Sequence, residues 1–138
     1  MEIRVVVADN RRARIFASHN VAINLREQED FVHSAAHLSN QDIVDDAAGK
    51  SVDQHGSLDS KTSAKQHEEE MFAKSLGKHL KELHNKQHFD ELILIAPPRF
   101  LGLLRAELPK PLDKLLTKSI DKDLTQASVE ELINYIKK

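Results

Sequence analysis

Residues 91–96 read ELILIA, one acidic residue followed by an unbroken apolar run of strand length. The stretch before it, HEEEMFAKSLGKHLKELHNK (67–86), has helical periodicity. Phe72, Leu76, Leu80 and Leu83 fall at i, i+4, i+8 and one turn on, with Met71 and His79 beside them. Such a stripe must pack against another element. Glutamates occupy the first turns and lysines the later ones, the order that the helix dipole favours. After ELILIA, Pro97 and Pro98 end the strand, and RFLGLLRAEL (99–108) points Phe100, Leu103 and Leu104 to one side. Pro98 suits a first helical turn, where its missing N–H is not needed. Helix, buried strand, helix is the pattern of a βαβ unit around a central strand.

Working outward, IRVVVA (3–8) is a second apolar run and predicts a strand buried on both faces. Asp9-Asn10 is turn chemistry. RARIFAS (12–18) predicts a strand with Ala13, Ile15 and Ala17 on one face. VAINLREQ (21–28) alternates, with Val21, Ile23 and Leu25 inward and Asn24 and Arg26 outward. Three short strands joined by turns predict an antiparallel meander. Downstream, Pro109 and Pro111 stop the helix, LDKLL continues as a short helical piece, and KSIDK (118–122) predicts an edge strand. The stretch 127–137 predicts a last amphipathic helix with Ser128 as N-cap. The expected fold class is α/β: a mixed, roughly five-stranded sheet with helices packed on its faces.

Residues 38–66 show neither helical nor strand periodicity and hold two of the four glycines. Residues 40–70 carry eight acidic residues against three lysines. The expectation is a long flexible loop within a single domain spanning 1–138, because neither flank is large enough to fold alone. Loops on rigid scaffolds often carry recognition. Gly49, Lys50, His55 and Gly56 are therefore candidate binding residues.

The composition narrows the chemistry. The 138 residues include 20 Lys+Arg and 22 Asp+Glu, for a net charge of −2. A chain that is basic throughout is excluded, but a local basic patch is not. Arg11, Arg12 and Arg14 form the one dense arginine group, with Arg4 nearby in sequence. Such groups make bidentate bonds to phosphates; the alternative is a solvated hairpin face. Asp9, at a strand end, and Arg99, at a helix N-terminus, stand where open α/β sheets bind ligands. Their alternative is a turn cap and a packed side chain.

Cysteine is absent, so no disulfide, thiolate nucleophile or Cys-type zinc site is expected. His84 with His88, and His33 with His37, have i, i+4 spacing. Neither pair is expected to hold both rings on one helical face, and no zinc or catalytic motif is present. No catalytic residue, metal or cofactor is therefore expected. Five Phe and one Tyr support a base-stacking platform poorly. No apolar run approaches a membrane span, and MEIRVVVADNRR lacks a basic leader, so the expected location is cytoplasmic.

Four segments carry a resemblance: ADNRRARIF (8–16), DDAAGKSVDQHG (45–56), FAKSLGKHL (72–80) and APPRFLGLLRAEL (96–108), with KDL at 122–124. Together they resemble the bacterial host-attachment protein family, the proteins described as required for attachment to host cells. That family is related in fold to the middle domain of archaeal and eukaryotic class-1 release factors and of Pelota. In release factors the corresponding loop carries Gly-Gly-Gln, which reaches the peptidyl-transferase centre. Here that loop reads His55-Gly56-Ser57, and no Gly-Gly pair occurs. The resemblance thus implies a binding module that contacts ribosome or structured RNA without releasing peptides. The family often has Arg where Lys50 stands, which weakens a bidentate role there. A protein-interaction factor in attachment or stress physiology is the alternative. A hydrolase acting on a phosphate ester or RNA, with Asp9 at its centre, is the third reading.

Overall fold

The computed structural model describes residues 1–20, 24–32 and 57–137, with backbone alone over 57–63. The elements in chain order are β1 (Ile3–Ala8), β2 (Arg12–Ser18), β3 (Arg26–Val32), α1 (Ser57–Lys86), β4 (Glu91–Ile95), α2 (Pro98–Glu107), α3 (Lys110–Leu115), β5 (Leu116–Ile120) and α4 (Val129–Lys137). The chain is α/β, with a five-stranded mixed open sheet in the order β3-β2-β1-β4-β5. The pairs β1–β2 and β2–β3 are antiparallel; β1–β4 and β4–β5 are parallel.

The apolar runs sit where no face meets water. All six residues of β1 are buried. Alternation sorts them: Val6, Ala8, Leu92 and Leu94 join Ala13 and Ile15 under α1, α2 and α3. Ile3, Val5, Val7, Ile93 and Ile95 join Phe16 beneath Leu132 and Ile136 of α4. Phe72, Leu76 and Leu80 are fully buried, which bears out the helical stripe, and Leu83 packs at its margin. On α2 the inward residues are Phe100, Leu101 and Leu104, with Leu103 only partly covered. Each large aliphatic or aromatic side chain buried this way stabilises the fold by about 1.5–3 kcal/mol.

The third strand differs from expectation. It begins at Arg26, where the alternating stretch 21–28 was expected to be ending. Leu25 is buried as expected, but before the strand; Val21 and Ile23 lie outside the described residues. The Ser18 hydroxyl donates to the Asn24 carbonyl at 2.6 Å. Pairing then starts with Arg26 opposite Ala17. As an edge strand, β3 tolerates its polar sequence REQEDFV. What fastens it is a stack: Phe31 lies 5.9 Å from Phe72 and 4.5 Å from His79, whose Nε2 meets Glu29 Oε1 at 2.5 Å.

Helix α1 starts at Ser57, so the expected loop 38–66 is shortened: residues 57–66 are helical, and 38–56 lie outside the described residues. The expected edge strand at 118–122 is present, two residues earlier. The last helix opens as expected on Ser128, whose hydroxyl accepts the Glu131 N–H at 3.2 Å. The Glu131 carboxylate accepts the Ser128 N–H in return at 3.1 Å. This reciprocal capping box satisfies two otherwise open amides.

Two glycines in helices make a paired test of packing. A Cβ built on Gly77 of α1 would lie 3.0 Å from the Glu107 carbonyl oxygen at the end of α2; one on Gly102 meets nothing within 4 Å. Gly102→Ala should therefore stabilise by about 0.5–1 kcal/mol through helix propensity alone. Gly77→Ala must push α1 off α2 and should destabilise by about 1–3 kcal/mol. Denaturant unfolding of both variants checks the opposite signs.

Candidate functional site

Because β1, β4 and β5 run parallel, their C-terminal ends share one edge of the sheet, where α/β proteins commonly bind ligands. The end of β3 reaches the same edge, since Val32 pairs with Arg12. Helix α1 also extends to it. Its C-terminal end feeds β4, so its N-terminal end lies beyond the carboxyl ends of the strands. Thirty residues of helix span about 45 Å, against about 17 Å for a five-residue strand. The buried stripe starts at Phe72, and of residues 64–71 only Glu69 is partly covered. Residues 64–71, about 12 Å of helix, therefore stand clear of the core.

Asp9 sits at this edge as a turn cap. Its Oδ1 accepts the backbone N–H groups of Arg11 at 2.8 Å and Arg12 at 2.9 Å, and its own N–H donates to the Arg12 carbonyl at 2.9 Å. Its Oδ2 is 3.4 Å from the hydroxyl of Thr125, a residue only 2% exposed. That hydroxyl lies 2.8 Å from Asp123 Oδ1. Asp9 thus ties the first hairpin to the loop before α4. Sequence reading missed Thr125 and the role of Asp123, because the contact with Asp9 bridges more than a hundred residues.

The arginines divide. Arg14 is committed to the protein: its guanidinium donates to both oxygens of Glu27 (3.0 and 3.1 Å) and to the carbonyls of Thr125 and Ala127 (both 2.9 Å). It also lies 5.0 Å from the Phe16 ring centroid. Arg12 reaches the Thr125 carbonyl at 3.5 Å. Arg11 is exposed. Arg99, the second residue of α2, is 56% exposed, and its Nε lies 3.5 Å from Glu69 of α1. Arg4 is not part of this group. It is buried near the opposite end of β1 against Glu2, Gln87 and Phe89. The structure therefore brings Asp9, Arg11, Arg12 and Arg14 together, puts Arg99 at the same edge, and removes Arg4. Gly49, Lys50, His55 and Gly56 lie outside the described residues, but the segment that holds them joins Val32 to Ser57.

The His84–His88 spacing brings the two rings into contact. The His84 and His88 rings lie 4.6 Å apart, and His84 Nδ1 accepts the Phe89 N–H at 3.4 Å. Burial, and then the neighbouring His88, hold the His84 pKa below its ordinary value. His33 and His37 lie outside the described residues. Among the described residues no group of three or more metal-ligating side chains converges, and no helix is long and apolar enough to cross a membrane.

Two comparisons bear on this chain. A family model described as "Protein required for attachment to host cells" matches residues 4–136. An uncharacterized protein of Rickettsia prowazekii (strain Madrid E) is 44% identical over 71 residues, half of this chain and 47% of that relative. The chain thus spans about half the length of the curated relative it matches.

The Arg14–Glu27 pair gives this edge a pH signature. Hydrogen bonds from Arg14, opposed by burial and helped by the Arg14 charge, hold the Glu27 pKa below its ordinary value. A carboxylate depressed in the folded state adds stability above its unfolded pKa, about 4.3, and loses it as pH falls through the lower folded value. Stability of the protein should thus drop below about pH 4.3. The drop should be shallower in Glu27→Gln, as measured by denaturant unfolding across pH.

Proposed function

The chain belongs to the family of proteins required for attachment to host cells, and we propose that it acts there as a non-catalytic binding module whose partner is the ribosome or a structured RNA. The observation that carries this reading is the shared edge. The segment 33–56 leaves the fold at Val32, on the edge that carries Arg11 and Arg99, and re-enters at Ser57 on the helix whose Glu69 meets Arg99. Arg11 and Arg99 keep exposed guanidinium groups for phosphates; Arg12 is half-committed. Gly49, Lys50, His55 and Gly56 complete the proposed contact from the connecting segment. A release-factor middle-domain likeness supports the same partner. The absence of a Gly-Gly pair argues that no peptide release accompanies binding. The module works in the cytoplasm, where ribosomes are.

A hydrolase loses its main support, because the carboxylate nominated for it is occupied by two turn amides and a hydroxyl. A protein partner is the second reading. It is favoured by Glu68 and Glu70, which are exposed on the projecting part of α1 and would repel a phosphate backbone.

Co-sedimentation with purified ribosomes separates the two. Under the RNA reading, binding seen at low salt falls steeply as salt rises, because phosphate contacts release counterions. The double variant Arg11→Ala/Arg99→Ala should weaken binding and lower the salt slope by about two. A partner that survives nuclease treatment and ignores both substitutions would establish the protein reading instead.

A further inference from the structure

At the other end of the sheet, a cavity of about 150 Å³ opens between β1–β3 and the last turns of α1. Arg4, Ile15, Gln28, Glu29, Leu83 and Gln87 line it. We infer that this cavity is a binding site for a small molecule of no net charge that carries both a carboxylate or carbonyl and an N–H donor, such as a small amino acid.

Size sets the first limit. An engineered cavity of similar volume holds benzene, so the occupant has about six non-hydrogen atoms. Unlike that cavity, this one is lined by four polar residues and two apolar ones. Arg4 supplies a guanidinium whose side chain is 6% exposed. Its Nη1 donates to Glu2 at 2.8 Å and to the Ile3 carbonyl at 3.4 Å, and its Nη2 donates to Gln87 at 3.3 Å. Among the described residues nothing accepts from its Nε. A buried charged donor left open is costly, and an acceptor entering the cavity would relieve it. From β3, Glu29 engages His79 through Oε1, and among the described residues no donor meets its Oε2. Gln28 and Gln87, both exposed, stand at the rim and offer amide donors and acceptors.

Charge sets the second limit. A simple anion would suit Arg4 but face Glu29, and a simple cation would suit Glu29 but face Arg4. A dipolar molecule answers both groups at once. Ile15 and Leu83 supply apolar walls that fit a short aliphatic portion.

Side-chain NMR of ¹⁵N-labelled protein tests this, with glycine, L-serine and acetamide as probes and acetate and methylammonium as single-charge controls. Glycine or serine should shift the Arg4 Nε–H and the Gln28 and Gln87 amides saturably, with a dissociation constant on the order of 1 mM. The controls should bind about tenfold more weakly. Leu83→Phe fills the cavity and should abolish the saturable shift. Gln28→Leu, at an exposed position that leaves the fold intact, should weaken it about tenfold, the loss of one hydrogen bond. No saturable shift with any neutral probe would mean that the cavity holds water only, and would overturn the inference. Acetate binding as tightly as glycine would overturn the ligand class. A response that persists unchanged in both variants would place the binding elsewhere.

Discussion

Two-sided burial of the β1–β4 pair is the constraint on which the remaining structure depends. A parallel strand with apolar residues at every position has no face that tolerates water. It needs a layer above and a layer below. Among the described residues, α1, α2 and α3 cover one face and α4 is the one helix on the other. That asymmetry explains the sharp amphipathicity of α4, which must cover its side with Leu132 and Ile136 and little else fully buried. It also explains why Arg14 is fastened to the loop before α4. A nine-residue helix gains from a clamp where it enters, and the carbonyls of Thr125 and Ala127 provide the grip.

The legible part of the fold was the part set by packing. ELILIA and IRVVVA showed both-face burial directly, and the Phe72–Leu76–Leu80 stripe showed a helix because it rests on the sheet. Two elements escaped for physical reasons. The first turns of α1 carry the polar sequence SLDSKTSAKQ, in which no apolar period marks a helix. The alternation in VAINL drew the expected strand toward residue 21, while the described strand, Arg26–Val32, is a charged edge held by Phe31 and the His79–Glu29 contact. Edge strands are selected partly for what they repel, so their sequences read as loops.

The candidate site was legible by position and not by partnership. Asp9 and Arg99 stand at strand and helix ends, as the topology required. What local sequence withheld was which charges are already engaged. Arg14 finds acceptors 111 and 113 residues away, and Asp9 meets Thr125 at a separation of 116. No spacing rule reports contacts at that range.

Arg4, Arg11, Arg12, Arg14 and Arg99 therefore do different work, and burial separates them. Arg4 is enclosed, and charge in such a place persists only when paired or hydrogen-bonded. Arg14 is largely enclosed and saturated by Glu27 and two carbonyls, so it stabilises the fold and has little left to offer a ligand. Arg12 is partly drawn to the same carbonyl. Arg11 and Arg99 lie in water, where an ion pair such as Arg99–Glu69 contributes at most about 1 kcal/mol and exchanges readily for another anion. A partner at the strand-end edge would thus meet two available guanidinium groups, with the third half-committed. That count suits a shallow electrostatic contact completed by the segment between Val32 and Ser57, and it leaves the enclosed Arg4 to the separate chemistry of its cavity.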